Sequence, residues 1–436
     1  MAAALEGIRV VDVSQVAAVP MCARHLADFG ADVVHIEHPA RGDSWRVFQS
    51  GQGRGNSGPE SEINYNWENF NRNKRSVSVD ISTREGQALL YRMAEWADVF
   101  LTNLRMFERE RYRLGYQDIR KVNPRIIYGS LTGYGQKGPD RDASAYDTTA
   151  YWTRAGFPHR LRAHGIANPG YTAAMGDNVA ALGLAFGVMM ALYVRGRTGV
   201  GQEVDTSLFH AGIYQLSFDI AGTLVTGKDF DDWRTQRYAD DQERMGRREK
   251  LVAEAQEALD RLSDFYRENI VNPLSGVYRT RDNRTLTFVI LQPDLWWSRF
   301  CKAIEREDLE NDPRFSTFEA RAEHAAELYH IFRDAFLSKT LEEWRPRLQG
   351  MPYSLQQNYK EVIADPQARA NDMFAEIDHP VYGRMEVVAS PVKCSETPAT
   401  IRMPAPEFSQ HTEEFLLELG YAWEDIAGFK EKGTIA

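Results

Sequence analysis

Between residues 8 and 131 the chain alternates short β-branched runs with helical stretches, and this restricts its fold more than any other feature. Ile8–Val13 reads as a strand, Met21–Phe29 as a short helix stopped by Gly30, and Asp32–Glu37 as a second strand. Ser76–Asp80, Val99–Thr102 and Ile126–Leu131 read as further strands. Ser82-Thr-Arg-Glu85 has the form of a capping box, in which hydroxyl and carboxylate satisfy backbone N–H groups at a helix start, here one running to Trp96. Strand–helix–strand units of this spacing predict an α/β fold with a doubly wound parallel sheet. Ligands of such sheets sit in loops beyond the C-terminal strand ends. Those loops are Ser14–Pro20, His38–Arg46, Asn103–Arg105 and Thr132–Gly138.

A second feature is Met175-Gly176-Asp177-Asn178, directly before an unbroken apolar run from Val179 to Val194. The run has the composition of a buried helix and is shorter than the ~18 to 20 apolar residues of a bilayer span. A carboxylate at its start feels the positive end of the helix dipole, which predicts an ionised Asp177. Gly176 permits close approach of a backbone or a ligand. Asp177 is then either a helix cap or a nucleophile, since aspartate is favoured at N-caps.

Composition narrows the function. A net charge of −10 argues against nucleic acid as the main partner, and 43% apolar residues allow a sizeable core. Cys22, Cys301 and Cys394 are scattered and suggest neither a disulfide framework nor a metal site; the ten histidines show no ligand spacing. The N-terminus lacks the pattern of a signal peptide, so we expect a soluble cytoplasmic protein without a membrane partner. Gly53-x-Gly55-x-x-Gly58 matches a dinucleotide fingerprint as text, but no strand precedes it and Pro59 follows. The densely charged stretch Gly227–Asn269 reads as a solvated helical face. Beyond it, Val277–Thr280, Thr285–Leu291 and helices near Trp296–Ile304 and Ala320–Leu337 suggest a smaller α+β domain. We therefore divide the chain into 1–225, 226–335 and a C-terminal segment 336–436. The basic loop Arg154–His164, with His159, Arg160 and Arg162, is either plain surface or an attractor for an acidic substrate. Tyr151, Trp152 and Phe157 are either core or a platform for a bulky acid.

An ordered set of motifs carries a family resemblance. Leu5–Asp12, Ala31–Glu37, Asn73–Ser76, Arg125–Gly135 with Gly138-Pro139, and Ala145-Tyr-Asp147 are followed by Gly176-Asp177, Arg197–Asp205, Ser390–Pro398 and Pro404-Ala-Pro406. Together they resemble the class III coenzyme A transferases, which include formyl-CoA transferase, carnitine-CoA transferase and bile-acid CoA transferase-like members. The likeness spans nearly the whole chain and is weakest over Gly227–Asn269.

The resemblance implies that Asp177 is the catalytic nucleophile, with Gly176 beside it. It implies CoA and acyl-CoA as substrates, no tightly bound cofactor and no metal. Carried over residue by residue, the CoA site comprises Val16, Ala17, Ala18, His38, Asn71, Arg72, Asn73, Lys74, Asn103, Leu104, Arg105, Arg113, Gly133, Tyr134, Gly135 and Gln136. Lys74, Arg105 and Arg113 would offer charge-assisted bonds to the nucleotide phosphates. The family also implies an interlocked homodimer, with a long exposed linker near Thr223–Asp232.

Departures from the pattern bear on the substrate. The formyl-CoA member has glutamine at Ala17, arginine at His38 and an acidic residue at Gln136, and its glycine-rich loop has no counterpart in Tyr266–Arg284. These departures disfavour small oxalate-like substrates; a bulky or aromatic acceptor acid is expected if Tyr151, Trp152 and Phe157 line the pocket, and the Arg154–Arg162 cluster would suit a succinate-type donor such as succinyl-CoA. The related α-methylacyl-CoA racemases need a histidine where this chain has Tyr146, and a phenol is a poor proton carrier near neutral pH. A third reading is a subunit of a heteromeric transferase.

Overall fold

Alternation of apolar side chains along each strand decides how the large sheet is layered, because successive residues point to opposite faces. The computed structural model describes residues 2–46, 63–161, 174–228 and 272–436. It forms two compact units, residues 1–235 with 369–436, and residues 236–368. The first holds six parallel strands: β1 (Arg9–Val13), β2 (Asp32–Glu37), β3 (Lys74–Ser78), β4 (Val99–Thr102), β5 (Ile127–Thr132) and β6 (Gln202–Ser207). Their order is β3-β2-β1-β4-β5-β6, so the direction of winding reverses between β1 and β4. A crevice for ligands opens beyond the strand ends at such a reversal.

Among the described residues before 229, nine α-helices accompany the sheet: α1 (Ala18–Asp28), α2 (Tyr65–Asn71), α3 (Arg84–Trp96), α4 (Met106–Tyr112), α5 (Tyr116–Val122), α6 (Phe157–Leu161), α7 (Met175–Thr198), α8 (Leu208–Gln215) and α9 (Ser217–Thr226). Val10, Val33, Leu101 and Ile127 face one core with Cys22 and Leu26 of α1 and Leu184 and Val188 of α7. Val11, Val34, Phe100 and Tyr128 face the other with Leu89, Leu90 and Met93 of α3. The tail returns to this second face, where helix Thr412–Glu418 adds Phe415 and Leu416.

Four local expectations shift. Thr83, rather than Ser82, caps α3 by accepting from the Gly86 N–H at 3.0 Å, because the Ser82 hydroxyl is taken by Asp80. β3 begins at Lys74 instead of Ser76. β6 was not anticipated, since an edge strand of alternating exposure and polar sequence carries little apolar signal. α7 runs over 24 residues and is long and apolar enough to cross a membrane by length and composition, yet Ala180, Leu184, Val188 and Ala191 are buried in the protein's own core.

The second unit has an antiparallel sheet of β7 (Val277–Arg279), β8 (Thr285–Phe288) and β9 (Tyr353–Leu355). Its core is aromatic, with Tyr278, Phe288, Phe300, Phe332, Phe336 and Trp344 in contact. The helix expected over Ala320–Leu337 is broken at His324 into Phe318–Glu323 and Ala325–Leu337. Residues 336–368 belong with this unit, since Leu341, Trp344 and Leu348 fill its core and β9 pairs with β8. The chain rejoins the first unit at Arg369, just before the hairpin of β10 (Phe374–His379) and β11 (Gly383–Val388). The fingerprint Gly53–Gly58, the loop from Arg162 and most of the charged stretch lie outside the described residues. Of the expected linker, Thr223–Thr226 is instead the last turn of α9, closed by left-handed Gly227, and the part from 229 lies outside them.

Candidate active site

The nucleophile region is organised by the way α7 starts. Its N-cap position is Ala174, in a left-handed conformation with φ of 61° and no side chain able to cap. Asp147 supplies the missing acceptor from outside the helix: its Oδ1 takes the Gly176 N–H at 3.0 Å. Gly176 has to be glycine, because a Cβ there would lie 2.2 Å from Tyr151 Cγ and 2.3 Å from Asp147 Oδ1. Asp177 therefore sits in the first turn as a half-buried residue without capping duty.

That placement corrects the expected ionisation. The helix dipole favours the carboxylate, but burial, followed by the charge of Asp147, pushes Asp177 up to about 7. Asp147 itself is raised to about 6 by burial, against the N–H groups of Gly176, Ala174 and Met175. Its Oδ2 is buried without a partner. Among the described residues no cation forms an ion pair with either group.

Asp177 and Asp147 line a cavity of about 620 Å³ together with Val16, Ala17, Ala18, Gly133 and Tyr146. A second cavity of about 750 Å³ adjoins it, lined by His38, Arg41, Asp80, Leu104 and Tyr112. Gln15, Asn103 and Glu108 belong to both, so the two form one crevice at the β1–β4 reversal. Asn103 fixes the dividing wall by accepting from the Gln15 N–H at 3.2 Å and donating to its carbonyl at 2.7 Å.

The structure thus brings together Asp177, Val16, Ala17, Ala18, Asn103, Arg105 and Gly133 in one cavity, and His38 and Leu104 in the next. It places the other expected CoA residues elsewhere. Arg72 is buried against Asp28 at 2.9 Å. Asn73, left-handed at φ of 64°, accepts from the backbone N–H groups of Arg402 and Met403 and so anchors the returning tail. Lys74 Nζ is buried on Asp12 at 3.0 Å and on Asn71 at 2.8 Å. Arg113 is the exposed left-handed C-cap of α4. Arg154 lies over the Tyr134 ring, Gly135 makes a left-handed turn, and Gln136 donates to Ser130 and Glu203. None of Asn71 to Lys74, Arg113, or Tyr134 to Gln136 lines either cavity. Of the three cations offered for phosphates, only Arg105 reaches the crevice, where it pairs with Glu108 at 3.1 Å.

The aromatic reading resolves and the basic-loop reading does so only for Arg154 and Arg160, since Arg162 and His164 lie outside the described residues. Tyr151, Trp152 and Phe157 are core, at 0%, 7% and 7% exposure. Arg154 pairs with Asp140 at 2.7 Å and Arg160 with Asp219 at 3.0 Å, so both have carboxylate partners. Sequence reasoning missed Asp147 as the cap of α7, a role that only tertiary contact creates. It also passed over Arg41, although the His38–Arg46 loop had been singled out. Among the described residues no cluster of His, Cys, Asp or Glu could hold a metal.

The CoA-transferase family III profile matches residues 5–412. The chain is 32% identical to (R)-2-hydroxy-4-methylpentanoate CoA-transferase of Clostridioides difficile, over 99% of each chain. It is 29% identical to cinnamoyl-CoA:phenyllactate CoA-transferase of Clostridium sporogenes, over 96% of this chain and 94% of that one. The crystal structure of Rv3272 from M. tuberculosis superposes with a TM-score of 0.74 at 25% identity, covering 95% of this chain and 99% of the other. The chain belongs to CoA-transferase family III and is a CoA-transferase.

Proposed function

We propose that this enzyme moves CoA from an acyl-CoA donor to a bulky carboxylic acid through a thioester on Asp177. The observation that carries this is a half-buried carboxylate with no cation partner, pushed up to about 7, at the wall of a crevice large enough for an acyl-CoA. Desolvation of this kind leaves the ionised form poorly stabilised and hence a stronger nucleophile. Its attack on the donor's carbonyl expels CoA thiolate and leaves a mixed anhydride. The thiolate then attacks the Asp177 carbonyl, releasing the donor's acid and leaving the aspartyl-CoA thioester. The acceptor carboxylate repeats the two steps in reverse order. Each tetrahedral oxyanion needs N–H donors, and the start of α1 at Ala17 and Ala18, which no side chain caps, borders the same cavity.

CoA would lie along the neighbouring cavity, with Arg41 and Arg105 as its cations and His38 beside them. Trp45, Phe70, Leu131 and Leu208 give the Asp177 cavity apolar and aromatic walls, which suit a bulky or aromatic acid. The acids named for the two relatives, 2-hydroxy-4-methylpentanoate and phenyllactate, are consistent with that choice. Phe186, Tyr193, Tyr214 and Phe218 are 69%, 63%, 72% and 93% exposed on α7, α8 and α9, which supports a homodimer buried on this face. The interlocking of its chains and a cytoplasmic location stay part of the proposal.

The test is to incubate the enzyme with a panel of acyl-CoAs, succinyl-CoA included, and trap it with hydroxylamine. The adduct should map to Asp177, and Asp177→Ala should neither form it nor transfer CoA. Full transfer by Asp177→Ala would end this reading.

A further inference from the structure

The loop that separates the two cavities is held in an unfavourable shape, and what holds it is a buried row of charges. Val16 has φ of 73°, a region that a β-branched side chain rarely enters. Such a conformation persists only where the surroundings over-determine it. Here the Val16 N–H donates to Asp43, at 3.2 Å to Oδ2 and 3.4 Å to Oδ1. The same carboxylate accepts from the Trp45 N–H at 2.8 Å. Asp43 thus fixes the backbone of two residues that line the same cavity as Asp177.

Behind Asp43 the row continues away from the ligand. His35 Nε2 lies 3.5 Å from Asp43 Oδ2, and His35 Nδ1 lies 2.9 Å from Asp12 Oδ2. Lys74 Nζ meets the same Asp12 oxygen at 3.0 Å, and the Ser14 hydroxyl bonds to the other. Asp12, His35, Asp43 and Lys74 are 0%, 0%, 2% and 1% exposed. Two carboxylates thus face two cations out of contact with water, where removal of one partner strands the charge of another. None of Asp12, His35 or Lys74 lines either cavity, and Asp43 borders only the adjoining one.

We propose that Lys74, Asp12, His35 and Asp43 act as positioning residues that hold the Ser14–Ala18 turn, through the Asp43–Val16 contact, at the distance from Asp177 that CoA transfer requires. The row touches no reacting atom. It sets where the Val16–Ala18 backbone stands, and displacement of a positioned group by about 1 Å is enough to lower a rate on the order of 100-fold. This inference rests on Asp177 being the nucleophile.

Three variants of the full-length enzyme test it. Asp43→Ala removes the acceptor for Val16 and Trp45; Asp43→Asn keeps an acceptor and removes the charge; His35→Gln breaks the row one step back. For each, hydrogen exchange is followed at the Val16 and Trp45 amides. The rate of adduct formation is followed at saturating concentration of whichever acyl-CoA labels the wild type fastest. Asp43→Ala should lose protection at both amides and label on the order of 100-fold more slowly with little change in half-saturating acyl-CoA. Asp43→Asn should recover most of both, and His35→Gln should fall between. A folded Asp43→Ala with wild-type exchange and wild-type labelling would overturn the proposal. So would exchange that rises uniformly across the sheet, since that is a loss of stability without a positioning role. If Asp43→Ala does not fold, Asp43→Asn and His35→Gln carry the comparison, and wild-type behaviour in both overturns it. Absence of labelling in the wild type by every acyl-CoA would refute the nucleophile instead, and unchanged Val16 and Trp45 exchange would still refute the positioning.

Discussion

Two buried acid clusters lie within one unit of this enzyme, and they are built in opposite ways. Around Asp12 and Asp43 each carboxylate faces a cation, Lys74 or His35. Burial pushes Asp12 upward, but Lys74, His35 and hydrogen bonds outweigh it and hold the group well below the usual carboxylate range. His35 is raised to about 9, since Asp12 and Asp43 overcome the burial that would lower it. Around Asp147 and Asp177 no described cation pairs with either carboxylate; burial raises both, to about 6 and about 7, and the charge of Asp147 adds to the shift at Asp177. The first arrangement makes charge silent and rigid. The second leaves two carboxylates without a described cation on the wall of the cavity shared with Ala17 and Gly133, while of the first cluster only Asp43 reaches a cavity, the adjoining one.

The largest effect expected from breaking this contrast is on the uncompensated side. Asp177→Asn should lower transfer by about 10⁴-fold or more, measured as steady-state turnover. In the wild type the rate should fall as the pH drops through about 7, because only the ionised carboxylate attacks. Stability should run the other way. The folded-state value is raised above 3.8, so its stabilising contribution is complete below that pH and is lost as the pH rises through about 7. Asp177→Asn should therefore melt higher than the wild type at pH above 7, with the gap closing on acidification.

On the compensated side, Lys74→Met should destabilise by about 3–5 kcal/mol, because Asp12 is left buried without its ammonium. Denaturant melts would show this, while calorimetry should find CoA affinity in the folded fraction little changed. Normal stability with a salt-sensitive loss of CoA binding would instead restore Lys74 as a phosphate ligand. A smaller effect is expected at the partner of the nucleophile. Asp147→Asn keeps an acceptor for the Gly176 N–H but removes the repulsion, so the acid limb of the rate profile should move to lower pH. Asp147→Ala also removes the cap and should destabilise by about 1 kcal/mol. The smallest change is expected from Arg41→Ala at the rim. It should weaken CoA binding by about 1 kcal/mol, most visibly at low ionic strength.

The parallel sheet was legible because β1, β2 and β4 are dense in β-branched and apolar residues with helical stretches between them. The place of Asp177 at the start of α7 was legible because a carboxylate stands alone before a long apolar run. The polar strand β6 left no comparable trace, and the boundary at Arg369 depends on which core Leu341 and Trp344 enter. Lys74 shows why the CoA site was only partly readable. A lysine at a strand start looks like a phosphate ligand until the fold places Asp12 and Asn71 against it. The capping role of Asp147 escaped notice for the converse reason, since the helix it caps begins far along the chain from it. Position in a motif thus pointed to the neighbourhood, and burial with charge partners separates the residues that line the crevice from those that do not.

The central claim, that CoA passes through a covalent bond to Asp177, is tested most directly by following oxygen. In the proposed sequence the acceptor carboxylate gives one of its oxygens to the Asp177 carboxyl group when its anhydride is cleaved by CoA thiolate. Turnover with an acceptor acid carrying heavy oxygen, followed by digestion and mass spectrometry, should place heavy oxygen in the Asp177 carboxylate only when an acyl-CoA donor is present. Accumulation of the acceptor's CoA ester with an unlabelled Asp177 peptide would contradict the account.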